Sequence, residues 1–277
     1  MYKESLNALL EQQSDKNKSR YPYRNPAKTI EFFGLKPGMT IVETLPSGGW
    51  YSKILLPYLG KEGKLIGVDY SLSMWPNFDF VDNAFLEERK NWSINWPKEA
   101  AAWYPEGETA PVSAYTFSTL SSELSETADA VLFIRALHNL SRFENKGQYL
   151  SKALKESHRV LKSGGILGVV QHSAPEDKSD TWADGSRGYL KKSSVIKMVE
   201  SAGFKLSSEG KFNENEMDLP GDDDIVWRLP PTLHTSKDNE ALKTSFLEIG
   251  ESNRMTLLFH KLLTRQCKKP VPVSWSP

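Results

Sequence analysis

The stretch Ile41-Val-Glu-Thr-Leu-Pro-Ser-Gly-Gly-Trp50 decides the fold. The apolar run Met39–Leu45 reads as a buried strand, and Gly48-Gly49 breaks it. Trp50, Ile54, Leu55 and Tyr58 then fall at helical spacing, which predicts a helix over Trp50–Leu59. Small residues in such a turn let a ligand approach the backbone. The helix N-terminus behind them offers free N–H groups to a carboxylate or phosphate. Glu43 is an unusual choice inside this strand, because a buried charge is costly unless paired. It suits a contact to the ammonium or turn amides around an amino-acid ligand. The next strand, Lys64–Asp69, ends in an acid 26 residues after Glu43, where a carboxylate can accept both hydroxyls of a ribose. Together these features describe a site for a nucleoside-containing cofactor.

Outward from this pair, strands and helices alternate. Val112–Phe117, Ala128–Ile134, Ile166–His172, Phe204–Leu206 and Arg254–Leu262 read as further strands. Asn25-Pro26 opens one helix, Leu150, Leu154, His158 and Leu161 mark the face of a second, and Ser193–Ala202 is a third. The alternation predicts an α/β, Rossmann-like fold. Its sheet is mostly parallel and seven-stranded, with helices on both faces and an antiparallel last strand. Right-handed crossovers put the loops after the strands along one edge, where ligands bind. Residues 1–25 are expected to form a polar, helical N-terminal extension. Residues 26–277 are expected to form one domain with insertions at about 71–111 and 213–252.

The 277 residues are 39% hydrophobic and 25% charged, as in a folded globular chain. Lys+Arg and Asp+Glu number 35 each, so no broad electrostatic attraction to nucleic acid or an anionic membrane is expected. Cys267 is the only cysteine, which excludes an intrachain disulfide and a Cys-rich metal site; no metal is expected. The longest apolar stretches, such as Ala130–Ile134, are too short to span a bilayer. The first residues lack the basic-then-apolar order of a signal peptide, so a cytoplasmic protein is the simplest reading.

The dinucleotide fingerprint needs a third glycine that seats the helix against the strand. Here only Gly48 and Gly49 stand in the turn, which disfavours NAD or FAD. The strand–acid–turn, Asp69, the strand at 129–134 and the turn Leu161-Lys-Ser-Gly-Gly165 resemble class I S-adenosylmethionine (SAM) methyltransferases over roughly residues 26–262. More narrowly, PSGGWYSKILLPYLG, RALHNL and RMTLLFHK resemble a bacterial group of predicted methyltransferases whose turn reads Pro-Gly-Gly-Gly-Trp. The resemblance implies SAM as cofactor, contacted by Glu43, Pro46, Ser47, Gly48, Gly49, Trp50 and Asp69. Leu45 and Ser47 replace the first two glycines of the general motif, so Leu45 must point away from the ligand.

The resemblance also places Arg135-Ala-Leu-His-Asn139 beside the reacting methyl group. His138 can serve as a general base with a pKa near working pH, and Asn139 can orient a substrate oxygen. His172 is a second candidate on the same edge, and Arg135 completes the set. The competing reading is structural: His138 caps the strand end and Arg135 pairs with a neighbouring acid. The implied activity is methyl transfer to an O or N atom of a small-molecule acceptor. A non-catalytic protein that keeps the fold is the alternative, followed by a nicotinamide-dependent oxidoreductase. Leu229-Pro-Pro-Thr232 lacks the polar and aromatic residues of an amine-methylating motif. Gly185-Ser-Arg-Gly188 does not follow a strand into a helix and is no phosphate loop.

Overall fold

Apolar side chains alternate across both faces of every central strand, and that alternation builds a three-layer molecule. The computed structural model describes residues 2–262, with side chains from Ser5 onward; Cys267 lies outside the described residues. The strands are β1 (Thr40–Thr44), β2 (Lys64–Asp69), β3 (Val112–Thr116), β4 (Ala128–Ile134), β5 (Leu161–Ala174), β6 (Leu190–Lys191), β7 (Phe204–Gly210) and β8 (Arg254–Lys261). Their order is β3-β2-β1-β4-β5-β8-β7, and two-residue β6 pairs with β5 off this path. The first five strands of that order run parallel, while β8 is antiparallel to both β5 and β7. This is the expected sheet with β6 added. A two-residue strand is too short to leave a periodic signal.

Val42, Val68, Val131, Phe133, Val169 and Leu257 face one apolar layer, completed by the helices Tyr149–Val160 and Lys192–Ser201. Ile41, Leu65, Ala130, Leu132 and Val170 face the other, against the helix Ser52–Leu59. Leu6 and Leu10 of the first helix are buried in that second layer beside Ile30 and Phe33, each side chain worth about 2 kcal/mol on burial.

Several boundaries differ from the sequence expectation, two of them next to the turns that it singled out. The helix after β1 starts at Ser52 rather than Trp50, because hydrogen-bonded turns occupy the chain through Tyr51. Strand β5 starts at Leu161 rather than Ile166; Leu161 pairs with Ala128, and a register shift within the strand takes up the residues between before Ile166 pairs with Ala130. The tryptophans of the 71–111 segment pack against the sheet. A Cβ on Gly49 would come within 2.1 Å of the Trp103 ring, so that glycine admits an aromatic plate behind the first turn.

Candidate active site

The carboxyl ends of β1, β4 and β5 and the start of β8 open on a cavity of about 480 Å³. Three non-glycine residues in its wall hold left-handed backbone: Leu45 at φ 48°, Ser47 at 50° and Arg135 at 59°. Leu45 and Ser47 thus keep a glycine-like conformation without the glycines, at a cost of roughly 1 kcal/mol or more each. The sheet holds two of these residues in place. Leu45 N–H donates to the Val68 carbonyl and Arg135 N–H to that of Val170, both at 2.7 Å. Strain of this kind concentrates at binding sites.

Glu43 projects from β1 into the cavity wall and is 4% exposed. The Ser52 hydroxyl donates to its Oε2 at 2.6 Å. Burial pushes the Glu43 carboxyl up to about 7, against the opposing pull of that hydrogen bond and of the Arg135 guanidinium. Burial likewise raises Asp69 to about 6. Its surroundings differ, however. It accepts from Tyr70 N–H at 2.7 Å and from Arg89 Nη1 at 3.3 Å, and the Arg89 guanidinium lies over the rings of Trp75 and Phe85.

Across the cavity, Glu251 gathers three guanidiniums. Arg20 Nε donates to Oε1 at 2.7 Å, Arg24 Nε to Oε1 at 3.0 Å, and Arg254 Nη2 to Oε2. Burial alone would raise the Glu251 carboxyl. The guanidiniums of Arg254, Arg24, Arg135 and Arg20 outweigh it and hold the group at about 2. Arg135 stands beside this cluster, yet its guanidinium has no hydrogen bond or ion pair among the described residues. Burial, with Arg24 and Arg254 adding to it, pushes Arg135 down to about 9.

The His138 and His172 rings lie 5.6 Å apart, with Trp227 5.8 Å from His138. His172 stands opposite Arg254 in the β5–β8 pair, and its Nδ1 is 2.6 Å from Ser252 Oγ. His138 Nδ1 lies 3.4 Å from the Gln171 amide, which donates to the Gly188 carbonyl at 3.0 Å. Burial, reinforced by Arg135 and Arg142, pushes His138 down to about 4. Burial, then His138 and Arg254, push His172 well below its ordinary value. The sequence suggests a base poised near working pH. The structure instead sets both imidazoles in a buried, cation-rich wall that favours their neutral forms, because desolvation and guanidiniums both disfavour a further positive charge. Two further polar atoms of the wall, Trp50 Nε1 and Asn139 Oδ1, are buried without a hydrogen-bond partner among the described residues. Such orphans in a native fold call for an explanation, and a ligand supplies one.

The cavity wall brings together Glu43, Pro46, Ser47, Trp50, Arg135, His138, Asn139 and His172. Gly48, Gly49 and Asp69 lie outside it: Gly49 is turned to Trp103, and Asp69 is closed over by Arg89. Sequence reasoning missed Arg24, Glu251, Ser252, Arg254 and Trp227. Arg254 carried a readable signal, since a charge at the head of a buried strand is as odd as Glu43. Arg24 carried none, because it sits in the polar stretch before the first strand. The Gly185–Gly188 loop braces the histidine wall. A Cβ on Gly185, at φ 100°, would come within 2.1 Å of the His138 carbonyl oxygen. Gly185→Ala is therefore expected to lower stability by roughly 3 kcal/mol, read from the urea midpoint. An unchanged midpoint would show that this loop does not clamp His138.

No protein-family model matches the chain, and no curated protein matches it. Solved structures similar to it include the [4+2]-cyclase SpnF, at 16% identity and TM-score 0.53 over 87% of this chain and 81% of that one. Another is a chain of the complex between the Haloferax volcanii Trm112 methyltransferase activator and a methyltransferase. It is 14% identical, with TM-score 0.50, over 93% and 98% of the two chains. A SAM-dependent methyltransferase from Aquifex aeolicus is 20% identical, with TM-score 0.45, over 74% and 92%. The chain thus has the Rossmann-like fold of the class I methyltransferases. At such identities the likeness is one of fold, and the presence of a cyclase shows that the fold alone does not choose the chemistry.

Proposed function

We propose that this protein is a SAM-dependent methyltransferase acting on an O or N atom of a small-molecule acceptor. On this reading it works in the bacterial cytoplasm, within the group whose turn reads Pro-Gly-Gly-Gly-Trp. Residues 26–277 form the catalytic domain and residues 1–25 an extension of it. One observation carries the proposal: Glu43 and the left-handed turn at Leu45 and Ser47 share a cavity with the His138–His172 pair.

The cavity fits the methionine end of SAM. Glu43 is a buried carboxyl without a cationic hydrogen-bond partner among the described residues, and Trp50 Nε1 is an orphaned donor. Glu43, Pro46, Ser47 and Trp50 would hold that end, with Gly48 and Gly49 shaping the turn. Asp69 would take the ribose once its Arg89 partner swings away. SAM supplies an activated methyl group, whose sulfur keeps the bonding pair when the acceptor's lone pair takes the carbon. The chain's part is alignment and proton management, and alignment carries much of such a reaction. Asn139 orients the acceptor, Arg135 fixes its position, and His138 or His172, being neutral, accepts the proton that leaves it. A second reading, a non-catalytic protein that keeps the fold, is supported by the closure of Asp69 under Arg89.

Calorimetric titration with SAM, S-adenosylhomocysteine (SAH) and NAD tests the proposal. Both adenosyl compounds should bind saturably and NAD should not. Asp69→Asn should weaken SAH by about tenfold, the worth of one charge-assisted hydrogen bond. If neither adenosyl compound binds, the non-catalytic reading replaces the first.

A further inference from the structure

We infer that the acceptor carries an anionic group, a carboxylate or a phosphate, and that the open guanidinium of Arg135 receives it. This inference rests on the methyltransferase reading and names its acceptor class. The argument is one of charge. Arg20, Arg24 and Arg254 share the single carboxylate of Glu251, and Arg135 stands beside them, attracted by that carboxylate at longer range but with no hydrogen bond or ion pair of its own among the described residues. Four guanidiniums therefore meet two carboxyl groups, and one of these, Glu43, is held largely protonated below about pH 7 by burial. Arg135 is half-buried on the cavity wall, so its guanidinium is accessible to a ligand that enters there, and a planar cation without a hydrogen-bonded carboxylate is a ready receptor for an anion. The backbone at Arg135 is also left-handed, so the chain carries local strain to aim this side chain into the cavity.

The cofactor brings no net negative charge. SAM carries an ammonium and a sulfonium against one carboxylate, so its arrival adds to the positive excess. An anionic acceptor offsets it. The planar guanidinium fork matches the two oxygens of a carboxylate or phosphate. Burial is the main cause of the lowered His138 and His172 pKa values, and such an anion would offset only the smaller contribution of the guanidiniums.

Calorimetry at fixed ionic strength, with SAH present, tests the inference using malonate in one arm and inorganic phosphate in the other. At least one should bind saturably, and the stronger arm distinguishes a carboxylate from a phosphate acceptor. Arg135→Gln should weaken that anion by at least about tenfold while SAH stays within about twofold. Arg135→Lys, which keeps the charge and loses the fork, should fall between, and reports on the site if the glutamine variant folds poorly. Equal anion affinity in parent and variants would overturn the inference. So would SAH losing as much as the anion with the two excluding each other, because Arg135 would then hold the cofactor's own carboxylate. Anion binding without any SAH binding would keep the anion site and overturn the methyl-transfer reading beneath its role.

Discussion

Glu251→Gln is expected to destabilise the fold by about 3–5 kcal/mol at pH 7, the cost of leaving buried charges unpaired. The side chain is 1% exposed and is the shared partner of Arg20, Arg24 and Arg254. Removing its charge leaves the buried guanidiniums of Arg24 and Arg254 facing each other, with the partly exposed Arg20 beside them. The contact also ties the N-terminal segment to the head of β8, since Arg254 Nη1 donates to the Tyr23 carbonyl at 3.2 Å. The pH dependence has a definite sign. The Glu251 carboxyl falls from 4.5 to about 2 on folding, so its contribution is full above pH 4.5 and is lost as pH falls through about 2. That window is worth roughly 3 kcal/mol in the parent and should vanish in the variant. Urea denaturation at pH 7 and between pH 5 and 2 measures both. A variant as stable as the parent would show that the arginines find other partners.

Glu43→Gln should do the reverse for stability and cost the protein its ligand. The Glu43 carboxyl rises from 4.5 to about 7 on folding. Its favourable contribution is complete below pH 4.5 and is lost as pH rises through 7, where the folded state must bury a charge. The variant should therefore exceed the parent by roughly 3 kcal/mol above pH 7, with the difference shrinking toward pH 4.5. Asp69 titrates in the same sense. His138, lowered from 6.5 to about 4, opposes them by losing stability as pH falls through that range. Subtracting the parent profile isolates Glu43. SAH affinity should fall by at least about tenfold, as for a lost charged contact. Added stability with unchanged SAH affinity would place the cofactor elsewhere. Glu43 and Glu251 thus face one cavity with their pKa values driven apart, the arrangement that sets acid and base roles in many sites.

Much of the sheet was legible in one dimension. The runs at 64–69 and 128–134 appear as β2 and β4 with the same ends, because a strand buried on both faces must be apolar throughout. Glu43 stood out for the same reason. Asp69 was equally visible as an acid at a strand end, but its pairing with Arg89 was not, since Arg89 comes from a short helix with no fully buried residue, seated only by the half-buried Phe85 and Leu86. The four-arginine cluster was invisible too. Its members come from residues 20, 24, 135 and 254, and no local pattern links them.

By itself, then, the sequence determined the layer architecture, the edge of the sheet on which the cavity opens and the two acids within the first two strands. Local periodicity and turn chemistry act within a few residues and leave their mark there. Only the tertiary structure decided which of those groups share a cavity, that burial pushes both histidines down, and that Arg135 has no hydrogen bond or ion pair among the described residues. Desolvation and charge pairing depend on distances across the fold, and those exist only once β8 lies beside β5 and the N-terminal segment closes against Glu251.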